Sequence, residues 1–299
     1  MAIDDPSSEL VDVACAQLAP TIGDLDGNRA RALAAVRAAA GDGAALIVLP
    51  ELCTTGYAFA DRAEALHCSE PADGPTVSGW RELCRELEVT VVAGFCEHGP
   101  DGIPRNSAAV VNADGSLTVY RKTHLWDREP LLFEAGTEPA PVVDTAAGRV
   151  GVAICYDAFF PEVMRGLAGA GADVIAVPMN SPVPDPPLPP QAVPSSEIVL
   201  ALAAATVNRV YVAQADRSGP ERGIVWAQAS AICDPDGLLL AGPIDGTGVL
   251  HARCDLRRAR DKTLGVRNDV FTDRRPELYP QPGPRIPFPY ATPRKEMVP

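Results

Sequence analysis

Three residues of different chemistry stand at or just past the ends of three apolar runs: ALIVLP leads to Glu51, SLTVYR to Lys122 and VGVAI to Cys155. A thiol can attack a carbonyl carbon, a carboxylate can take its proton, and an ammonium can hold the negative charge that develops on oxygen. Each residue alone has an ordinary explanation. A strand cysteine is usually a small core residue, a glutamate past a strand is usually solvated, and an Arg-Lys pair usually lies on the surface. Their shared position shifts the balance, because α/β sheets gather their sites at the carboxyl ends of strands.

The local sequence sharpens each role. Cys155 is followed by Tyr-Asp-Ala-Phe-Phe and then Pro161 and Glu162, and proline is favoured in a helix's first turn. That order predicts a strand, a tight turn and a helix, which would point the sulfur outward and leave N–H groups beside it for a thiolate or an oxyanion. Glu51 follows Pro50 and an apolar run, so its carboxylate is partly desolvated and its pKa raised, as suits a base.

The elements that must position these groups alternate along the chain. Residues 11–18 read as a strand and 27–40 as an Ala/Arg-rich helix that stops at Gly41 and Gly43. A strand over 45–51, a polar glycine-rich loop, a helix near 78–87 and a strand over 90–95 follow. NSAAVVN and SLTVYRK form a hairpin around Ala-Asp-Gly-Ser turn chemistry. Further strands are expected over 150–157 and 174–178, with a helix from Pro161 between them. A helix over 195–208 precedes strands within 210–217, 229–237 and 248–256. Between 178 and 194, eight of seventeen residues are proline, which predicts a stiff surface loop rather than a helix or central strand.

Bulk properties exclude other classes. A net charge of −13 argues against nucleic-acid binding and against attraction to anionic membranes. A hydrophobic fraction of 46% over 299 residues supports a core that needs no staples. The eight cysteines are scattered, without Cys-x-x-Cys pairs or zinc spacing. The N-terminus lacks a signal-peptide pattern, and the longest helical apolar run, 198–207, is too short to span a bilayer. A reducing cytoplasm is the expected compartment.

LPELCTTGY (49–57), YRKTHLWDRE (120–129) and CYDAFFPE (155–162) resemble the signature segments of the nitrilase, or carbon–nitrogen hydrolase, superfamily, in that family's order. NDVFTDRRPELY (268–279) resembles the closing segment of its amidase-like members. The resemblance spans almost the whole chain. It implies an α/β fold, a four-layer αββα sandwich over 1–299 with 268–299 as a C-terminal extension, paired into homodimers or larger homo-oligomers. It also implies a Glu–Lys–Cys triad, here Glu51, Lys122 and Cys155. Glu129 matches the second glutamate that orients substrate and lysine, and Tyr57, Tyr156, Phe159 and Asn180 are the implied substrate-binding residues. His124 is a supporting residue on this reading, and neither metal nor organic cofactor is required.

Cys155-Tyr156-Asp157 resembles the nucleophile segment of aliphatic amidases, including those acting on 5-aminopentanamide, rather than the Cys-Trp-Glu of true nitrilases. A small-molecule amide is therefore the expected partner. An N-carbamoyl amine or amino-acid hydrolase is the alternative, weakened because Ala158 and Phe159 stand where carbamoyl-acid hydrolases often carry an arginine. Nitrile hydrolysis, acyl transfer and a non-catalytic binding role remain further alternatives. Two departures bear on substrate: 227–230, Ala-Gln-Ala-Ser, lacks the glycines often found before that serine, and the proline-rich loop replaces a segment that often shapes the pocket.

Overall fold

A computed structural model describes residues 9–183 and 195–279; the greater part of the proline-rich loop, 184–194, lies outside them. The chain divides into a unit ending at Lys262 and a second beginning at Thr263. The first carries two six-stranded sheets. One contains β1 (Leu10–Gln17), β2 (Leu46–Val48), β3 (Thr90–His98), β4 (Pro104–Val111), β5 (Leu117–Arg121) and β12 (Gly248–Asp255), in the order β12-β1-β2-β3-β4-β5. The other contains β6 (Val142–Thr145), β7 (Gly148–Val152), β8 (Val174–Pro178), β9 (Tyr211–Ala215), β10 (Ala231–Cys233) and β11 (Leu239–Ala241), in the order β11-β10-β9-β8-β7-β6.

Each sheet is parallel at its centre and antiparallel at its flanks. β1, β2 and β3 run parallel, as do β7, β8 and β9. These central strands are buried on both faces, which is why they read as near-continuous apolar runs. The pleat sorts their side chains into layers. Val13, Leu46, Val48 and Val92 face Val150, Val152, Ile175's neighbours Val174 and Ala176, and Ala213 in a core between the sheets. The alternate residues Ala14, Ala16, Ile47 and Val91 pack outward against Val36, Val77, Trp80 and Leu83. Those last four belong to α1 (Leu25–Gly41) and α3 (Pro75–Leu87). α5 (Pro161–Gly169) and α6 (Ser196–Asn208) pack on the second sheet. The result is the expected four-layer αββα sandwich. Burying each such Val, Leu or Ile contributes about 1.5–3 kcal/mol before chain entropy is counted.

Several boundaries differ from the sequence reading. The strand expected over 150–157 ends at Val152, and Cys155 instead opens a short 3-10 helix, Cys155–Phe159. The strand before Glu51 ends at Val48, because Pro50 lacks the N–H a ladder needs. The polar segment after Glu51 contains α2 (Arg62–Cys68), whose N-cap Asp61 accepts the Glu64 N–H at 2.9 Å. α4 (Glu129–Leu132), α7 (Leu256–Arg260) and the edge strands β6 and β11 are too short to give a periodic signal. In the second unit, Asp269 accepts the N–H groups of Phe271 and Thr272, both at 2.8 Å.

Candidate active site

Cys155 has φ of +45°, a left-handed conformation that a residue with a Cβ adopts only when its surroundings enforce it. The enforcing group is Asp157, fully buried two residues on. Its Oδ2 accepts the Ile154 N–H at 3.0 Å and the Tyr120 hydroxyl at 2.9 Å. Its Oδ1 accepts the His124 N–H at 3.1 Å and lies 2.7 Å from His124 Nδ1. His124 also stacks on Phe160, ring centroids 3.8 Å apart. Thus His124 braces the turn through Asp157.

Glu51 is held by both sheets. Its N–H donates to the Met179 carbonyl at 3.3 Å, and its own carbonyl accepts from Asn180 Nδ2 at 2.8 Å. β3 crosses directly beneath: a Cβ on Gly94 would sit 2.5 Å from Glu51 Cα, so only glycine allows this approach. Lys122 follows β5, and its N–H donates to the Asn106 carbonyl at 2.9 Å. Side chains alternate across the strand. Arg121 therefore turns to Glu97, at 2.6 Å, while Lys122 turns into the molecule. Gly136 secures the other side of Lys122, donating to its carbonyl at 2.8 Å where a Cβ would meet Arg121 O at 2.2 Å.

The buried cluster contains two carboxylates, one ammonium and one amide. Lys122 Nζ donates to Glu51 Oε1 at 2.6 Å and to Glu129 Oε1 at 2.8 Å. Asn106 Nδ2 donates to the same two oxygens, at 2.6 and 3.2 Å. Glu129 Oε2 accepts the Trp126 N–H at 2.8 Å. Glu129, which taken alone would read as a surface loop carboxylate, is buried at the start of α4. Glu51 Oε2 is buried with no hydrogen-bond partner among the described residues.

Burial pushes Glu51 up to about 7, opposed by Lys122 and aided by the Glu129 charge. Burial likewise pushes the Cys155 thiol upward, with the Glu51 charge adding to it and Lys122 opposing. Burial alone would lower Lys122, but Glu129 and Glu51 outweigh it and hold the ammonium charged. A resting thiol beside a carboxylate able to accept a proton near neutrality is the state these directions describe.

A cavity of about 630 Å³ opens here, lined by Tyr57, Phe59, Trp126, Glu129, Leu132 and Val183 among others. Tyr57 packs edge-on to Trp226, centroids 5.7 Å apart. The N–H groups of Tyr57 and Ala58 both donate to Glu221, at 2.8 and 2.7 Å. Asn180 is buried between the two catalytic candidates, its carbonyl 3.8 Å from Cys155 Sγ. Tyr156 lies against Trp126, Phe159 and Phe160. Tyr156, Asn180 and Phe159, like Cys155 itself, stand outside the lining of this cavity; Phe159 borders a separate small recess with Met164 and Leu200 and is 41% exposed. Asn106, Asp157 and Trp126 carry no signal in the sequence read alone. Only the pairing of β4 with β5 reveals Asn106.

Seven of the eight cysteines are buried and free, and Cys155 is the partly exposed one. Among the described residues, no group of three or more His, Cys, Asp or Glu side chains could hold a metal ion, and no helix is long and apolar enough to cross a membrane.

A cysteine on a strained turn between two sheets, beside a buried carboxylate–ammonium–carboxylate cluster, defines a class of cysteine hydrolases with an αββα frame. The chain belongs to the carbon-nitrogen hydrolase family, whose model it matches over residues 12–262. It is 39% identical over 274 residues to a nitrilase of Pyrococcus abyssi, covering 90% of this chain and 99% of that one. It is 33% identical over 291 residues to N-carbamoylputrescine amidase of Solanum lycopersicum, covering 91% and 94%. Among solved structures it resembles a mutant of the amidase from Nesterenkonia sp. AN1 bearing the product of Michael addition of acrylamide at the active-site cysteine. That match has a TM-score of 0.71 at 25% identity, covering 90% of this chain and 98% of that one. The protein is an enzyme acting on carbon–nitrogen bonds other than peptide bonds.

Proposed function

We propose that this enzyme hydrolyses a small aliphatic or ω-amino primary amide to the carboxylate and ammonia through a thioester on Cys155. The observation that carries this reading is Oε2 of Glu51, a buried carboxylate oxygen without a hydrogen-bond partner among the described residues, in a site that also holds a strained cysteine and a paired lysine. Glu51 Oε2 takes the thiol proton as sulfur attacks the amide carbon. An ammonium has three N–H donors. Lys122 gives two to Glu51 and Glu129, and its third, with the Tyr156 N–H, holds the oxyanion. Glu51 returns the proton to the departing nitrogen as the C–N bond breaks. Water then attacks the thioester, giving one proton to Glu51, which passes it to sulfur as the acid leaves. Glu129 keeps Lys122 charged and placed, and Tyr57 and Asn180 contact the substrate.

Tyr57, Phe59, Trp126, Leu132 and Val183 offer an apolar and aromatic wall to an alkyl chain, and Asp127, Arg128 and Glu129 bring charge to the same cavity. N-carbamoyl amine hydrolysis is the second reading, supported by the tomato relative. Against a carbamoyl acid stands Arg165, the first arginine after the nucleophile, which donates to the Val207 carbonyl at 2.8 Å. The family resemblance further supports a homodimer or larger homo-oligomer working in the cytoplasm, which light scattering on the purified enzyme would test for assembly.

The deciding experiment measures ammonia release from short aliphatic amides, ω-amino amides, N-carbamoyl amines and nitriles, with Cys155→Ala as control. Cysteine-dependent release from amides supports the proposal, preference for carbamoyl amines promotes the second reading, and preference for nitriles overturns both.

A further inference from the structure

Asn106 lies on β4, and its carbonyl takes the Lys122 N–H. The backbone pairing that sets Lys122 thus sets Asn106 beside it. Its strand neighbours face the other way: Arg105 pairs with Asp101 at 2.7 Å and Ser107 donates to Glu97 at 2.7 Å. Asn106 alone of the three reaches the buried cluster. Its amide nitrogen spans both carboxylates, on Oε1 of each. Rotating the amide by half a turn would press its carbonyl oxygen against two carboxylates, so chemistry fixes the orientation. A neutral donor is also the group the site requires. A second cation there would hold Glu51 ionised and weaken it as a base, and an acid would add a third negative charge.

Glu51 Oε1 is thereby loaded with two donors, Asn106 and Lys122, while Oε2 has none among the described residues. We infer that Asn106 is a positioning residue that ties down Glu51 by Oε1, selecting Oε2 as the oxygen that takes the Cys155 proton, and that holds Glu129 in register with Lys122. This rests on the reading of Glu51 as the base.

The test follows alkylation of Cys155 by iodoacetamide, read by peptide mass across pH, in wild type, Asn106→Leu, Asn106→Asp and Glu51→Gln. This readout needs no knowledge of the natural substrate. The Asn106 hydrogen bond draws Glu51 downward, so losing it moves the acid limb of alkylation to higher pH. A shift of about one pH unit is expected for Asn106→Leu, with a several-fold to tenfold loss of rate at pH 7, and a larger shift for Asn106→Asp. Thermal melting establishes that each variant is folded, and the isosteric Asn106→Asp serves if Asn106→Leu is not. Folded variants alkylated with the wild-type pH profile would overturn the inference, even if amide turnover fell. If Glu51→Gln removes the limb while the Asn106 variants leave it in place, only the role of Asn106 falls. If Glu51→Gln keeps the wild-type limb, the base assignment falls and takes this inference with it.

Discussion

Asp157 and Glu51 are both carboxylates with no exposed surface, and both serve the segment around Cys155. Asp157 has donors on both oxygens, from Ile154, Tyr120 and His124. Glu51 has donors on one oxygen and none among the described residues on the other. A carboxylate whose lone pairs are filled keeps a backbone in a conformation it would otherwise leave. One that is half filled retains an appetite for a proton. On the proposed mechanism, equal burial yields a structural brace in one place and a base in the other, and the number of donors separates the two.

Variants that interrupt each side of this comparison should separate cleanly. Removing the nucleophile with Cys155→Ala is expected to lower kcat by about 10⁵-fold or more with the fold intact, as circular dichroism would show. Glu51→Gln should cost about 10³-fold or more in kcat/KM. It should also raise Tm relative to wild type at pH 8, since it removes one of two buried carboxylates that share a single ammonium. The sign follows from the raised Glu51 value. The folded state binds an extra proton between the ordinary carboxylate range and about 7, so wild-type stability falls as pH rises through that window. A Tm difference that stays flat from pH 5 to pH 8 would contradict this.

Asp157→Ala acts in the opposite manner. It should destabilise the protein by about 3 kcal/mol by stranding several buried donors, with activity falling through loss of the Cys155 turn. Wild-type stability in this variant would mean that the turn is held by packing alone. The smallest effect is on pH dependence. kcat/KM should fall below about pH 7, tenfold per unit, as Glu51 takes up its proton. A profile flat down to pH 5 would remove Glu51 as the titrating base.

The three principal residues were legible because buried parallel strands write themselves as apolar runs, and a reactive residue at the end of such a run stands out. Lys122 was picked out past SLTVYR and by the family motif, and alternation along the chain explains why it, and not the adjacent Arg121, turns to Glu51. Glu129 was readable through the family motif, but its burial depends on the turn after Lys122 and on the one-turn helix α4. Asn106 and Asp157 were not legible. An asparagine in a strand carries no periodic signal, and an aspartate past a turn looks like any solvated one until its donors are assembled from two stretches of chain, 120–124 and Ile154. Phe159 was placed at the substrate by the family resemblance, and it borders a separate recess with Met164 and Leu200. The boundary of β7 was overestimated because the apolar residues 153–154 continue the pattern of the strand while the backbone is already turning.

The most direct measurement is the mass of the enzyme quenched in acid during turnover of a short primary amide, with the labelled residue identified by peptide mapping. An acyl group on Cys155 is expected in the wild type, and neither adduct nor ammonia from Cys155→Ala. Ammonia released by Cys155→Ala, or an acyl group carried on another residue, would contradict the proposed mechanism.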